Sequence, residues 1–416
     1  MTGAALNVVM LSDLEDQGGA AVAASRLATG LTRAGHRVTR IVYFESTRPQ
    51  PWETIRLDLG RNSGRAVRLL PNRTRPAVRR ILLRRRLRAI LDRLEPDLIN
   101  IHNLHGAIPA GWGLGLVVEC SETAPVVWTM HDMWSFTGRC AYSWDCDLFR
   151  SGCDHSCPTP NEHPTLPPAM ISSAWRYRAD VMGSMGNLVA VSPSRWLQGE
   201  AESGLWRSNR VKYIPYGLPL ENFRPIDQNA ARTALGIETT RPLLLICAAD
   251  WRERRKGAQV LEDALHHLPP GSVCLLTLGA GRIEMDHQEN HSLGFVEDER
   301  LKVLAYSAAD LFVHPAQVDN LPNVVIEAIA CGTPVVGLPI GGVPDMVVPG
   351  VTGWLAGASN GEALADAITG ALAGREEWSR LRLSCRSYAE QHYDDRVQAE
   401  RYTDLFRRLM NRGEGL

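Results

Sequence analysis

The sequence predicts an α/β protein built from two doubly wound parallel sheets, and three observations carry that prediction. Short apolar runs of strand length alternate with segments of helical period, which is the pattern of helices covering both faces of a parallel sheet. The pattern begins afresh beyond a Pro- and Gly-rich stretch near the middle. The length of 416 residues exceeds one ordinary core and suits two domains of roughly 200 residues each.

Taken in order, Leu6 to Leu11 reads as a buried strand, followed by a Gly18-Gly19 loop and a helix with Ala24, Leu27 and Leu31 on one face. Val38 to Phe44, Leu98 to Ile101, Val126 to Met130 and Leu188 to Val191 are the next strands. The segment YIPYGLPLENFRP, with Pro215, Gly217, Pro219 and Pro225, is the linker. Strands resume at Leu243 to Cys247, Val273 to Leu278, Leu311 to Val313 and Val335 to Gly337. From about Asp394 to Arg412 a last helix offers Val397, Tyr402, Leu405, Phe406 and Leu409 for packing. The expected domains are 1–218, 219–392 and a closing helix over 393–416, with an insertion near 138–160.

A formal charge of −1 with 44% apolar residues gives no nucleic-acid footprint and no disorder signature. No run approaches the ~20 apolar residues that cross a bilayer. The N-terminal run lacks a basic leader and a cleavage pattern, so it reads as a first strand of a soluble, cytoplasmic protein. Lysine is scarce: only Lys212, Lys256 and Lys302 occur among 45 basic residues. A lysine that stands where arginine fills the generic basic positions is a candidate for a specific role.

The most informative stretch is DNLPNVVIEAIACGTPVV, with Asp319 and Glu327 eight positions apart across a loop-to-helix junction. Asn320 to Pro322 read as the helix start, with Pro322 in the first turn, and Gly332-Thr333-Pro334 as its stop. Asp319 would then stand outside the helix, beside N–H groups that can hold a phosphate, and Glu327 one to two turns further in. By residue type alone, a capped helix packed on a sheet, with Asp319 in solvent and Glu327 in a structural ion pair, is the favoured explanation of the spacing.

The longer string, DNLPNVVIEAIACGTPVVGLPIGGVPDMVVPGVTGWL, resembles the C-terminal signature of retaining glycosyltransferases of family 4, which have the GT-B fold, and specifically the branch that builds colanic acid and other exopolysaccharides. The resemblance implies two Rossmann-like domains facing across a cleft, with the last helix returning to the first domain. It implies a donor that is a nucleotide diphosphate sugar, UDP-linked and with UDP-GlcNAc favoured, and no cofactor for catalysis. Glu327 would hold the ribose hydroxyls. Asp319, shorter by one methylene than the family's usual glutamate, would meet the sugar together with Asn320 and Leu321.

The same resemblance assigns the other candidates. Gly18 and Gly19 would approach the donor's terminal phosphate. His131, in HDMW after a buried strand, would face the donor sugar, with Asp132 orienting it or binding acceptor. Lys256, in DWRERRKG, would stabilise the leaving diphosphate. The family's arginine six residues earlier is replaced by Asp250, which leaves Arg252 or Arg255 as the second cation. Gly279 and Gly281 resemble a loop near the nucleotide, Phe295 and Val296 the nucleobase edge, and Gly341-Gly342 a further cleft loop. Asp13, Glu15 and Asp16, before the first glycine loop, are expected either in solvent or facing a cationic acceptor.

Two features stand outside that frame. Cys140, Cys146, Cys153 and Cys157 lie within eighteen residues and suit a structural zinc, with free thiols or disulfides as competing readings. The later half of the basic stretch of residues 61–93 reads as an amphipathic helix burying Ile81, Leu82, Leu83, Leu87, Ile90, Leu91 and Leu94. Its arginines are expected in solvent, with contact to anionic lipid as the functional alternative. The expected activity is transfer of a hexose or N-acetylhexosamine to a polar acceptor, an oligosaccharide or aminoglycoside-type aminocyclitol. Lipid-linked saccharide transfer, a UDP-sugar 2-epimerase and a non-catalytic saccharide binder are the alternatives.

Overall fold

In the computed structural model, described for residues 4–207, 211–281 and 287–411, the chain divides into two compact units. One comprises residues 1–214 with 398–416, the other residues 215–397. The division falls before Pro215 rather than after residue 218. Leu218 forms a parallel bridge to Asp394 inside the second unit, so the Pro-rich stretch belongs there from Pro215 onward.

The first unit is a seven-stranded sheet in the order β3-β2-β1-β4-β5-β6-β7. Its strands are β1 (Asn7–Leu14), β2 (Arg37–Phe44), β3 (Glu53–Arg56), β4 (Leu98–Ile101), β5 (Val126–Thr129), β6 (Leu188–Ser192) and β7 (Val211–Tyr213), all paired in parallel. β1, β4, β5 and β6 are buried almost without interruption, because helices cover both faces of a parallel sheet. The helix Gly19–Arg33 buries Ala21, Ala24, Leu27, Ala28 and Leu31, a stripe at helical spacing. Each buried leucine contributes about 1.5–3 kcal/mol relative to exposure.

The closing helix runs Asp395–Met410. Tyr402, Leu405, Phe406 and Leu409 join Val8, Met10, Leu27 and Leu31 in one apolar cluster of the first unit. Tyr402 Oη meets Thr129 Oγ1 at 2.9 Å, and Thr403 Oγ1 meets His36 Nε2 at 2.9 Å. The last helix is thereby part of the first unit's core.

The basic stretch forms two helices, Gly60–Arg68 and Arg75–Leu94. Leu83, Leu87, Leu91 and Leu94 are buried, at spacings of four, four and three that define one face. Ile81 stands 51% exposed, against expectation, because two residues before Leu83 is nearly the opposite side of a helix; Leu82 and Ile90 are half-buried. The polar face is partly neutralised: Arg84 and Arg88 pair with Glu119, and Arg88 also with Glu122.

The second unit is a six-stranded parallel sheet in the order β10-β9-β8-β11-β12-β13. Its strands are β8 (Leu243–Asp250), β9 (Cys274–Ala280), β10 (Glu289–Gly294), β11 (Leu311–His314), β12 (Val335–Gly337) and β13 (Gly353–Leu355). In both units the chain starts in the middle, builds to one side, then crosses back to build the other. The switch points lie between β1 and β4 and between β8 and β11. In such sheets the crevice outside the carboxyl ends of the two switch-point strands is where ligands bind.

Candidate active site

At the second unit's switch point the loop after β8 and the loop after β11 are joined through their side chains. Lys256 Nζ donates to Asp319 Oδ2 at 2.9 Å, and Arg255 Nη1 stands 3.7 Å from the same oxygen. The backbone N–H of Gln317 donates to the Arg255 carbonyl at 2.9 Å, locking the loops to one another. Asp319 is 7% exposed. Burial alone would push its carboxyl up, but Lys256, Arg255 and His314 outweigh it and hold the carboxyl down to about 2. Asp319 is therefore a buried carboxylate wrapped by cations, with Asn320 N–H donating to its Oδ1 at 3.0 Å.

Two glycines make this geometry possible. Gly257 lies at φ +76°, and a Cβ there would stand 1.9 Å from the Pro315 carbonyl oxygen. Gly341 lies at φ +49°, and its Cβ would stand 1.8 Å from the Asp319 carbonyl oxygen. Only a residue without a side chain lets these backbones approach so closely. The Gly341-Gly342 loop thus braces the backbone of Asp319.

The helix after this loop runs Asn323–Ala330 with Pro322 as its N-cap, one position outside the first turn that the sequence suggests. Pro322 has ψ 120°, an extended conformation that leaves its carbonyl to accept from Val325 N–H at 3.0 Å. The helix ends at Cys331 and Gly332, the latter at φ +74°. Glu327 is 3% exposed, and Tyr306 Oη donates to its Oε2 at 3.0 Å. The buried hydroxyl fixes the carboxylate's orientation.

Of the two arginines considered as second cation, Arg252 folds back on Asp250 at 2.7 Å with an 80% exposed side chain. Arg255 is the one beside Asp319. Asn320 and Leu321 are buried, Val296 is buried, and Phe295 stands 60% exposed just past the end of β10. Gly279, in β9, packs so tightly that a Cβ would meet the Ala248 carbonyl oxygen at 2.2 Å. Gly281 follows β9 at φ +93°. Sequence reading missed His314, the last residue of β11. It is 2% exposed, its two ring nitrogens lack a hydrogen-bond partner, and burial pushes it down to about 4. The signal was there, a polar residue closing the apolar run LFVH.

At the first unit's switch point the carboxyl ends of β1, β4 and β5 assemble a second polar group. His131 is 6% exposed, with its Nε2 2.9 Å from His102 Nδ1, and burial pushes it down to about 4. It is a neutral imidazole at ordinary pH. The Oδ2 of Asp132 meets His105 Nε2 at 2.8 Å and Asn103 Nδ2 at 3.3 Å, and its Oδ1 accepts from Trp134 N–H. Burial would lower His105, but the carboxylates of Asp132 and Asp13 prevail and raise it. His102, Asn103 and His105 were missed by sequence reading. They form the string HNLH directly after Leu98–Ile101, the same placement that singled out His131.

Of the acids before the glycine loop, Glu15 faces neither solvent nor an open site, which corrects both expectations for it. Glu15 is 2% exposed and accepts from Trp52 Nε1 at 3.0 Å, Thr54 Oγ1 at 2.5 Å and Ser46 N–H at 2.7 Å; it ties β1 to β2 and β3. Asp16 accepts from Ser46 Oγ. Asp13, 4% exposed, accepts from Gly106 N–H at 2.6 Å and bridges β1 to the loop after β4. Gly18 lies at φ +83° as the N-cap of the helix that starts at Gly19, with nothing within 4 Å of where a Cβ would be.

The four cysteines of the insertion are unpaired thiols around one pocket. Among the described residues, no helix is long and apolar enough to cross a membrane.

Two family models match the chain. Residues 17–221 match Glycosyltransferase Family 4, and residues 241–373 match Glycosyl transferases group 1. The putative colanic acid biosynthesis glycosyl transferase WcaC of Escherichia coli K12 is 30% identical over 264 residues, 60% of this chain and 61% of that one. The D-inositol 3-phosphate glycosyltransferase of Xylanimonas cellulosilytica is 30% identical over 197 residues, 43% of this chain and 47% of that one. The matches thus span about half to three fifths of these relatives' length. Among solved structures, Anabaena Alr3699/HepE in complex with UDP and glucose superposes with a TM-score of 0.69 at 18% identity, over 97% of this chain and all of that one. The shared architecture is the GT-B fold.

Proposed function

The chain belongs to the group 1, family 4 glycosyltransferases, and from that premise we propose that it moves a hexose or N-acetylhexosamine from a UDP-sugar to a saccharide hydroxyl with retention at the anomeric carbon. The observation that carries this reading is the Lys256–Asp319–Arg255 cluster at the switch point of the second sheet. A diphosphate carries more negative charge than one carboxylate, so it competes for Lys256 and Arg255 as they stand. The same cations then stabilise the charge that grows on the diphosphate as the glycosidic bond breaks. Asp319, relieved of Lys256, accepts from sugar hydroxyls. Glu327, held by Tyr306, accepts from the ribose hydroxyls. In the retaining reaction the acceptor oxygen bonds to the anomeric carbon on the face the diphosphate leaves, and the leaving oxygen takes the acceptor's proton.

His131 meets a donor hydroxyl as a neutral imidazole, so it contributes a hydrogen bond rather than a charge. The UDP form of the donor is supported by the likeness to HepE. A polar, hydroxyl-rich acceptor is supported by the Asp13–His105–Asp132 group and by the named activities of the curated relatives. The likeness to WcaC favours polysaccharide assembly over an aminoglycoside-type acceptor. The test is UDP release from UDP-glucose, UDP-galactose and UDP-GlcNAc with saccharide and aminocyclitol acceptors, with product mass and anomeric configuration read by mass spectrometry and NMR. Turnover of UDP-GlcNAc without acceptor would indicate the epimerase instead, and UDP binding without release the non-catalytic binder.

A further inference from the structure

We propose that Cys140, Cys146, Cys153 and Cys157 bind one structural zinc ion in the first unit. All four line a single pocket of about 10 Å³, space for about one water-sized sphere and hence for one ion. The pocket lies in the stretch between the turn ending at Ser135 and the helix starting at Pro168, whose one helical element is the turn Leu148–Arg150. A connection this long without structure of its own is uncommon in a compact domain, and a metal is one way to order it.

Charge gives a second, independent pointer. Arg139 and Arg178 are 2% and 5% exposed. Arg139 donates to the carbonyls of Glu162, Pro164 and Thr159, and to the Thr159 hydroxyl. Arg178 donates to those of Trp134, Gly138 and Ala174. Among the described residues neither meets a carboxylate. Arg139 lines the pocket, and its Nε has no hydrogen-bond partner. Arg178 lies close enough to Cys153 and Cys140 for their charges to couple. Two buried cations without an anion are costly. Four thiolates on Zn²⁺ carry a net charge of −2, which balances them.

The donor set is all sulfur, which selects zinc over calcium or magnesium. Cys153 Sγ accepts from the Gly138 backbone N–H at 3.2 Å, a bond that fixes the position of this sulfur. Binding forms four Zn–S bonds and releases four thiol protons to solvent, with no change of oxidation state. The trio of ligand atoms that lies within 4.8 Å among the described residues is elsewhere, at Cys274, Glu289 and His291. The four sulfurs therefore stand wider than the ~3.8 Å of a tetrahedral zinc–thiolate set, and the ion draws them in.

The experiment is metal and thiol analysis of the full chain purified without chelator from zinc-supplemented cells. We expect about one equivalent of zinc, released in step with four thiols during titration with a mercurial. The Cys274→Ser protein should keep that zinc and the Cys146→Ser/Cys157→Ser protein should lose it. Should the double variant not fold, cobalt-substituted wild type decides, since tetrahedral thiolate ligation gives intense sulfur-to-cobalt charge-transfer bands. Less than about half an equivalent of metal, a mass lower by two hydrogens per disulfide, metal lost with Cys274→Ser, or cobalt without those bands would each overturn the site.

Discussion

Lys256 Nζ and Asp319 Oδ2 meet at 2.9 Å across the two loops that flank the second sheet's switch point. The side chains are 16% and 11% exposed, so this is a mostly desolvated pair, and removing one partner strands the other. Asp319→Asn should destabilise the protein by about 3–5 kcal/mol at neutral pH, read by urea unfolding. The carboxyl's folded value, about 2, is below its unfolded one, so its contribution is present above about pH 4 and is lost as pH falls from there toward 2. The stability gap between wild type and Asp319→Asn should be flat from pH 5 to about pH 8 and close below pH 4. A gap that persists into acid would show that the pair is not ionic.

Tyr306 and Glu327 make a sharper kinetic prediction. Tyr306→Phe removes a buried donor and costs about 1–3 kcal/mol in whatever state needs Glu327 oriented. We expect the donor's KM to rise roughly 5- to 150-fold with kcat changed much less, because the ribose contact is made equally in ground and transition states. Glu327→Ala should lower kcat/KM further. Initial-rate kinetics at saturating acceptor checks both, and an unchanged KM in Tyr306→Phe would detach this tyrosine from donor binding.

The His105–Asp132 contact at 2.8 Å has the opposite pH sign. The imidazole is raised above its ordinary 6.5, so its contribution is full below that value and fades as pH rises through the folded value. His105→Gln should therefore cost more stability at about pH 5.5 than at pH 9. Equal costs at both would mean the ring is neutral throughout.

Much of this was legible in the sequence and the remainder was not, for identifiable reasons. The central strands were readable because parallel strands buried on both faces are continuous apolar runs. β10, ENHSLG with its exposed pattern, and the short β3 and β13 lie at sheet edges and carry no such signal. His131, Lys256 and Asp319 were legible as candidates because motifs mark them. His102, His105 and His314 each sit at or just past the carboxyl end of a buried strand, a signal the sequence carries, but that His102 meets His131 needed the pairing of β4 with β5, which brings residues far apart in sequence together. Glu15 looked like a loop charge because its partners Ser46, Trp52 and Thr54 lie about thirty to forty residues on.

Glycine at two loops separates steric need from conformational preference. Gly341→Ala puts a Cβ against the Asp319 carbonyl oxygen and should cost more than about 3 kcal/mol or most of the activity. Gly18→Ala meets open space and should cost about 1–2 kcal/mol from its positive φ alone. Thermal melts and UDP release on the two variants give the ranking, and equal effects would remove the bracing role of Gly341.

The most direct test of the central claim is acceptor-dependent UDP release by the purified chain, wild type against Lys256→Met. The account predicts measurable release by wild type from at least one UDP-sugar, and loss of about 100- to 1000-fold in kcat for the variant with its fold retained by circular dichroism. A folded Lys256→Met protein that releases UDP at the wild-type rate would contradict it.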